Sequence, residues 1–441
     1  MRIADTVRGR RGRLQSGLIG VALLLVSAPV AAAEAPANSA ARSETGELAD
    51  GASWRATVPP NWNGTLLLWS HGYARTRPAA EDAPAASRAA LLAAGYALAG
   101  SSYAEGGWAL ATAIPDQEAT ITAFAERFSR PKRTIAWGYS MGALVTVALA
   151  ERPRRLIDGA LPMCGSIGGA VGMMNMALDG AYAFRTLLAP DSAIRLTGID
   201  NDLDNAHRVA AVLAEAQATP AGRARVALAA VLAGLPGWTT HDGPRPADDD
   251  AAAQQAEMAK TFAMGAFLPR VDQEQRAHGV FSSNTGVDYR AQLALSGRHS
   301  LVAKLYAAAG LDLNRDLDAL NAGSRVAADP AATRYMLDHY TPNARPTVPT
   351  LAVQNIGDGL TSPSLQRAYL EAAEHRARGM TSGLWAADAG HCTFTTPTVL
   401  ASLHQLETRI DTGRWPVRPA EFVAYDPPPM LRPCLRDGAC R

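Results

Sequence analysis

Hydrophobic and polar positions follow two different rhythms along this chain. From residue 54 to 165, short apolar runs of strand length alternate with longer stretches of helical spacing. Residues 54–58 predict a first strand, and Pro59-Pro60-Asn61-Trp62-Asn63-Gly64 is a turn cluster. The run from Thr65 to Ser70, centred on Leu66-Leu67-Leu68-Trp69, has the near-continuous apolar character of a strand covered on both faces. A helix over 85–94 ends at Gly95, a strand follows over 96–103, and 117–128 is a helix with an apolar stripe. Residues 134–137 predict a strand, 143–150 a helix and 158–165 another strand.

The rhythm breaks after Gly165. From 166 to 345, helical stretches succeed one another without strand alternation. They include Met173, Met174 and Met176, an Ala-rich run at 208–235 and the acidic loop Asp248-Asp249-Asp250. Alternation resumes with a strand over 349–355, a helix over 364–378, a strand over 382–386 and a helix over 396–409. The fold class is therefore α/β, a mostly parallel sheet with helices on both faces. The core is read as two parts, 49–165 and 346–412, separated by a helical insertion at 166–345 that would act as a lid. Residues 413–441 form a Pro-rich tail, and no internal repeat is visible.

Composition changes this picture at the ends. Arg2, Arg8, Arg10, Arg11 and Arg13 precede a short apolar run over 18–30, and Ala31-Ala32-Ala33 supplies small residues for cleavage. Residues 1–33 thus read as a secretory signal peptide, the alternative being an uncleaved anchor. Arg10-Arg11 hints at twin-arginine export. The Ala-, Ser- and Glu-rich stretch 34–48 reads as a linker. No other segment is long and apolar enough for a bilayer span, so no stable membrane span is expected after cleavage. The mature protein is expected in the periplasm or outside the cell. Apolar residues make up 48% of the 441-residue chain, enough for a large core, and a net charge of +1 without a basic stripe argues against nucleic acid as a partner.

An exported chain can hold disulfides. The candidates are Cys164, Cys392, Cys434 and Cys440. Cys434 and Cys440 are close in sequence and are expected to pair in the tail. No pair has the spacing of a zinc site, and no metal or organic cofactor is called for.

The chemistry centres on Gly138-Tyr139-Ser140-Met141-Gly142. It lies between a strand and a helix, the context of a nucleophile elbow. The turn is tight enough that Gly138 and Gly142 must lack side chains, and it lifts the Ser140 hydroxyl onto a helix N-terminus. A serine needs a base, and the base needs an orienting acid. His375, His391 and His404 come late enough in the chain. His375 and His404 sit in helical stretches, whereas His391 lies in a loop after the last strand and is the candidate base. Asp358, between Gly357 and Gly359 at the end of a strand, is the candidate acid, with Asp388 the alternative. A tetrahedral oxyanion would be met by the Met141 N–H and by Tyr73 or Gly72 in Ser70-His71-Gly72-Tyr73. His71 is read as holding that loop.

Together these segments resemble the α/β-hydrolase superfamily, over most of 50–165 and 345–412. The resemblance implies hydrolysis through an acyl-enzyme, an antiparallel first edge strand, and an insertion after the sixth strand, where many members carry a helical lid. Proline iminopeptidase-like and ester-hydrolase members share this pattern. The His391-Cys392 pair is similar to secreted tannase and feruloyl esterase members, in which a cysteine next to the histidine bridges to one beside the serine. Here Tyr139 precedes the serine. Cys164, at the end of the strand after the elbow helix, could meet Cys392; two separate buried thiols are the alternative.

The leading expectation is a secreted serine hydrolase of carboxylic esters acting on small molecules. An aminopeptidase or amidase on short peptides is second, with Asp248–Asp250 as a candidate amine anchor or simply a solvated loop. A non-catalytic binding protein on the same scaffold is third. A dehalogenase is disfavoured, because that chemistry needs a carboxylate where Ser140 stands. Trp238 and Phe262 are candidate pocket walls.

Overall fold

The computed structural model of the chain describes residues 40–153, 156–267, 269–436 and 440. The expected signal peptide lies outside these residues. The chain begins with β1 (Arg42–Glu47), β2 (Ser53–Val58), β3 (Thr65–Ser70), α1 (Ala85–Ala93), β4 (Ala97–Ser101) and α2 (Leu110–Arg127). It continues through β5 (Arg133–Tyr139), α3 (Met141–Ala150) and β6 (Gly159–Met163).

Period-two geometry sorts the side chains of the central strands onto two faces. Leu66 and Leu68 of β3, Ala97 and Ala99 of β4 and Ala136 of β5 join one apolar cluster. Leu67, Trp69, Leu98, Ile135 and Trp137 join the other. The first face carries mostly small residues, so α3 can pack close to it. Every residue of α3 is buried, which its all-round apolar sequence requires.

Among the described residues the sheet has nine strands in the order β1-β2-β4-β3-β5-β6-β7-β8-β9. The strands β7 (Thr350–Gly357) and β8 (Thr381–Ala389) flank α13 (Pro363–Arg376) in sequence; α14 (Thr396–Thr412) and β9 (Phe422–Val423) follow. Strands β3 to β8 run parallel. β1 and β2 pair antiparallel, as do β2 and β4 and, at the other edge, β8 and β9.

Nine helices among the described residues fill the insertion between β6 and β7. They are α4 (Ala170–Leu188), α5 (Asp202–Gln217), α6 (Pro220–Leu232), α7 (Ala251–Ala266), α8 (Val271–Ala277), α9 (Tyr289–Leu295), α10 (His299–Ala308), α11 (Leu313–Ala322) and α12 (Pro330–Asp338). The insertion has its own apolar cluster, including Phe184, Leu228, Phe262, Tyr289 and Leu320. Helix α4 links the two bodies, since all its residues from Ala170 to Phe184 are buried. Val171, Met173, Met174 and Met176 pack into the main cluster, and Leu178, Ala181, Tyr182, Ala183 and Phe184 pack into the insertion's own.

Two expectations need correction. The linker assignment at 34–48 fails for Arg42–Glu47, which is the edge strand β1. Its polar sequence gives no burial signal, because its register with β2 is held by backbone pairing and its exposed edge is covered by charge. Helix α2 starts at Leu110 rather than 117 and carries Pro115 internally. The carbonyl that loses its partner there belongs to the exposed Ala111. The Pro-rich tail packs against the rest of the protein. It supplies β9, buries Met430, Leu431 and Cys434 in the main cluster, and sends Arg432 to a buried ion pair with Asp179 of α4 at 2.8 Å. Burial pushes the Asp179 carboxyl up to about 6, against the pull of Arg432.

Candidate active site

Ser140 occupies the turn between β5 and α3 with φ 57° and ψ −121°. That region is costly for a residue with a Cβ, and such strain persists only where surroundings enforce it. Here the enforcement is contact. A Cβ on Gly138 would meet the Gly142 carbonyl at 2.5 Å and that of Ser70 at 2.7 Å. One on Gly142 would meet the Ser70 carbonyl oxygen, and that of His71 at 2.6 Å. The Ser140 N–H donates to the Met163 carbonyl at 3.2 Å, which ties the elbow to the end of β6.

His391 stands after β8 and Asp358 after β7. The imidazole Nε2 lies 2.9 Å from Ser140 Oγ, and Nδ1 lies 2.9 Å from Asp358 Oδ2. Nδ1 therefore carries the proton and Nε2 is left to accept from the serine. Asp358 is fully buried and its ionised form is well supplied with donors. Oδ1 accepts from the Leu360 and Thr361 N–H groups, both at 2.9 Å. Oδ2 lies 3.1 Å from Gln354 Nε2 and 2.9 Å from Thr361 Oγ1. Burial alone would depress the His391 pKa, but the Asp358 charge and hydrogen bond outweigh it and hold the imidazole above its ordinary value. The histidine loop is anchored to β7, with the Gly390 N–H donating to the Gly357 carbonyl at 3.0 Å and Asn355 Nδ2 to the Gly390 carbonyl at 3.1 Å.

The structure gives the other candidates different partners. Asp388 accepts from its neighbour Ala389 N–H at 2.7 Å and faces His241 Nδ1 at 3.0 Å, so it is engaged away from His391. His375 and His404 are exposed on helices. His71 donates from Nδ1 to the Gly72 carbonyl at 2.7 Å and stacks on Tyr103 with ring centroids 3.9 Å apart. Burial lowers its pKa, so the ring is neutral. Tyr103 also donates to the His71 carbonyl at 3.0 Å, and Gln117 Nε2 donates to Ser70 Oγ at 2.7 Å. These contacts fix the loop that carries Gly72 and Tyr73. A Cβ on Gly72 would sit 3.2 Å from the Ser140 Cβ, so this backbone lies directly against the serine. Met141 is the first residue of α3, where the N–H has no intrahelical acceptor.

A cavity of about 520 Å³ opens over Ser140 and His391, walled by Trp69, Tyr73, Trp108, Tyr139, Met173, Met264 and Leu360 among others. Trp238 and Phe262, expected as walls, are elsewhere. Phe262 is fully buried in the insertion's own cluster, and Trp238 lines a separate cavity of about 150 Å³. Asp248 pairs with Arg245, and Asp250 caps α7; neither lines the larger cavity. The walls that sequence reading missed come from strand ends (Trp69 and Tyr139), long helices (Met173 and Met264) and loops (Tyr73, Trp108 and Leu360), and no local pattern marks which of them meet. Thr361 and Gln354, the supports of Asp358, carried no motif.

All four cysteines are paired. Cys164 and Cys392 form a disulfide with Cα atoms 5.3 Å apart, and Cys434 and Cys440 form another at 4.2 Å. The first joins the turn after β6 to the residue following His391, and Cys392 Sγ lies 3.4 Å from His391 Nε2.

This strand order, with a serine at the elbow after β5, a carboxylate after β7 and an imidazole after β8, defines an α/β-hydrolase. Among known proteins the chain is 30% identical over 411 residues to the o-phthalyl amidase of Xanthobacter agilis, covering 85% of this chain and 88% of that one. It belongs to the same hydrolase family as that amidase. No protein-family model matches the chain. Solved structures similar to it include an esterase from Aspergillus oryzae, at 11% identity and a TM-score of 0.41 over 85% of this chain and 80% of that one. Feruloyl esterase B from the same organism is 13% identical with a TM-score of 0.39, again over 85% and 80%.

Proposed function

We propose that the protein is a serine hydrolase of small carboxylic acid derivatives, with Ser140 as nucleophile, His391 as general base and acid, and Asp358 as the orienting acid. The observation that carries this reading is the relay itself, two contacts of 2.9 Å that join three residues from separate strand ends. As Ser140 Oγ bonds to the substrate carbonyl carbon, its proton passes to His391 Nε2. The oxyanion that forms is met by the Met141 N–H and by that of Tyr73 or Gly72. His391 then protonates the leaving oxygen or nitrogen, and the C–O or C–N bond breaks to leave an ester on Ser140. Water attacks that ester with its proton taken by Nε2, and the acid is released as the serine recovers its hydrogen. The Asp358 charge stabilises the imidazolium at each transfer.

The same relay serves esters and amides. Esters ask less of it, because an alkoxide leaves more easily than an unprotonated amide nitrogen and the ester carbonyl is less stabilised by resonance. The amide reading is favoured by one observation, the amidase activity named for the 30%-identical relative. We further propose that the helical insertion acts as a lid and that the chain is exported. Two disulfides support export, and no helix among the described residues is long and apolar enough to cross a membrane. The test is a matched pair of substrates, an aryl ester and an anilide of the same acyl group, with labelling by a fluorophosphonate. Cleavage and labelling in the wild type, both lost in Ser140→Ala, are expected. Cleavage that survives Ser140→Ala would refute the mechanism, and cleavage of the ester alone would remove the amide reading.

A further inference from the structure

The smaller cavity, of about 150 Å³, shares no lining residue with the one over Ser140. Its wall joins Trp238 and Arg298 of the insertion to Ile356 of β7 and Tyr425 of the tail. What distinguishes it is a guanidinium. Arg298, just before α10, is half-buried and lines the cavity. Its Nη1 donates to the Leu235 carbonyl, and its Nη2 more weakly to Met258 Sδ at 3.8 Å, so the group is held in place. A Cβ on Gly237, in the cavity wall, would lie 3.1 Å from Nη2, which sets the guanidinium against that wall. A guanidinium has five N–H donors, more than these two contacts use. Among the described residues Arg298 forms no ion pair. Burial drives its pKa down to about 10, opposed by the Tyr425 phenol, so it is charged at neutral pH. Arg245, the other arginine of the lining, is exposed and already paired with Asp248 at 3.1 Å. A charge withdrawn from water is costly unless paired, and here the space for a counter-charge is the cavity itself.

We propose that this cavity is a binding site for a small organic carboxylate, an anionic group on an apolar body of about benzoate size, with Arg298 as its counter-charge. The planar fork of a guanidinium matches the two oxygens of a carboxylate. The rest of the wall suits the apolar body, since Trp238 and Tyr425 supply ring surfaces and Pro236, Pro363 and Pro428 supply rigid aliphatic ones. A volume of about 150 Å³ takes a benzene-sized molecule. An inorganic anion would gain the charge but nothing from those walls. The site stands apart from the Ser140 cavity and does not rest on the acyl-hydrolase reading. Ile356 and Ser362 in its wall set it against the segment that carries Asp358.

The test is isothermal titration of the intact protein with benzoate, its neutral isostere benzamide, and inorganic phosphate, all at one ionic strength. Benzoate should bind roughly tenfold or more tighter than benzamide, and tighter than phosphate. Arg298→Gln should weaken benzoate by roughly ten- to a hundredfold, the effect of losing a charged hydrogen-bonding partner, and leave benzamide within about twofold. Arg298→Lys keeps the charge but not the fork, and should fall between wild type and Arg298→Gln. Melting temperatures check that both variants fold. If neither does, p-bromobenzoate bound to the wild type is located by the anomalous scattering of its bromine, which should lie beside Trp238 and Tyr425. Benzoate binding that Arg298→Gln leaves unchanged, benzoate no tighter than benzamide, phosphate tighter than benzoate, or a bromine found elsewhere overturns the proposal.

Discussion

The sheet body and the helical insertion solve different problems. In the sheet body, Ser140, Asp358 and His391 stand just after β5, β7 and β8; Ser140 and the His391 loop are tied to the neighbouring strands β6 and β7, and Asp358 is held by Leu360 and Thr361 of its own loop. The insertion is a second packed unit, joined through the long buried helix α4, and it lends the cavity side chains such as Met173, Met264 and Gln273. The proposed relay thus rests on buried central strands, where small displacements would matter most. The cavity wall is shared: Trp69, Tyr73, Trp108 and Tyr139 come from the sheet body, and the insertion adds Met173 and Met264. The tail bridges the two through Arg432 and Asp179.

The largest effects should come from breaking the sheet-body relay. Ser140→Ala and His391→Ala should each lower kcat by roughly 10⁴ to 10⁶, and the double variant should be no worse, since the two act as one unit. Single-turnover assays on the folded variants check this. Asp358→Asn should cost about 10⁴ or somewhat less, because the imidazole loses both its tautomer control and its countercharge. Asp388→Asn should cost little, since that carboxylate faces His241. The reverse ranking would reassign the acid.

The insertion should respond differently. Phe262→Ala empties a fully buried site packed at a tilt against Phe184, with ring centroids 4.9 Å apart. It should destabilise by about 3–5 kcal/mol, seen in denaturant melts, while fluorophosphonate labelling of Ser140 in the still-folded protein stays near wild type. Loss of labelling in a folded variant would show that the insertion builds the reactive geometry as well as the walls.

Where the two halves of the sheet body meet, Cys164→Ser should remove about 2–4 kcal/mol by freeing a 228-residue separation in the unfolded chain. It should also lower turnover modestly, because the His391 loop loses its tether to β6. Thermal melts and kcat on one preparation separate the two effects.

The smallest effect is a pH shift. Because Asp358 raises the His391 pKa above the ordinary 6.5, kcat/KM should fall with decreasing pH along a limb centred above that value, since the base must be neutral. The sign for stability is opposite. A raised folded-state pKa stabilises the fold fully below pH 6.5, and that contribution disappears as pH rises through the folded-state pKa. Asp358→Asn should move the limb downward, and an unmoved limb would show that another charge sets it.

Strand alternation, the break after Gly165 and the elbow pentapeptide were legible because each is a local pattern that local physics enforces. Continuous apolar runs mark β3 and β5, which are buried on both faces, and two glycines permit the backbone contacts around Ser140. The candidate acid and base were nameable only by their place at strand ends. That Asp358 rather than Asp388 faces His391 is decided by the loops after β7 and β8, which close only when the strands lie side by side. The edge strand β1 was hidden because its partners are backbone atoms, which leave no side-chain periodicity. The cavity walls and the Cys164–Cys392 bridge were open for a related reason. They join residues far apart in the chain, and a contact of that kind exists only once packing has chosen which surfaces meet.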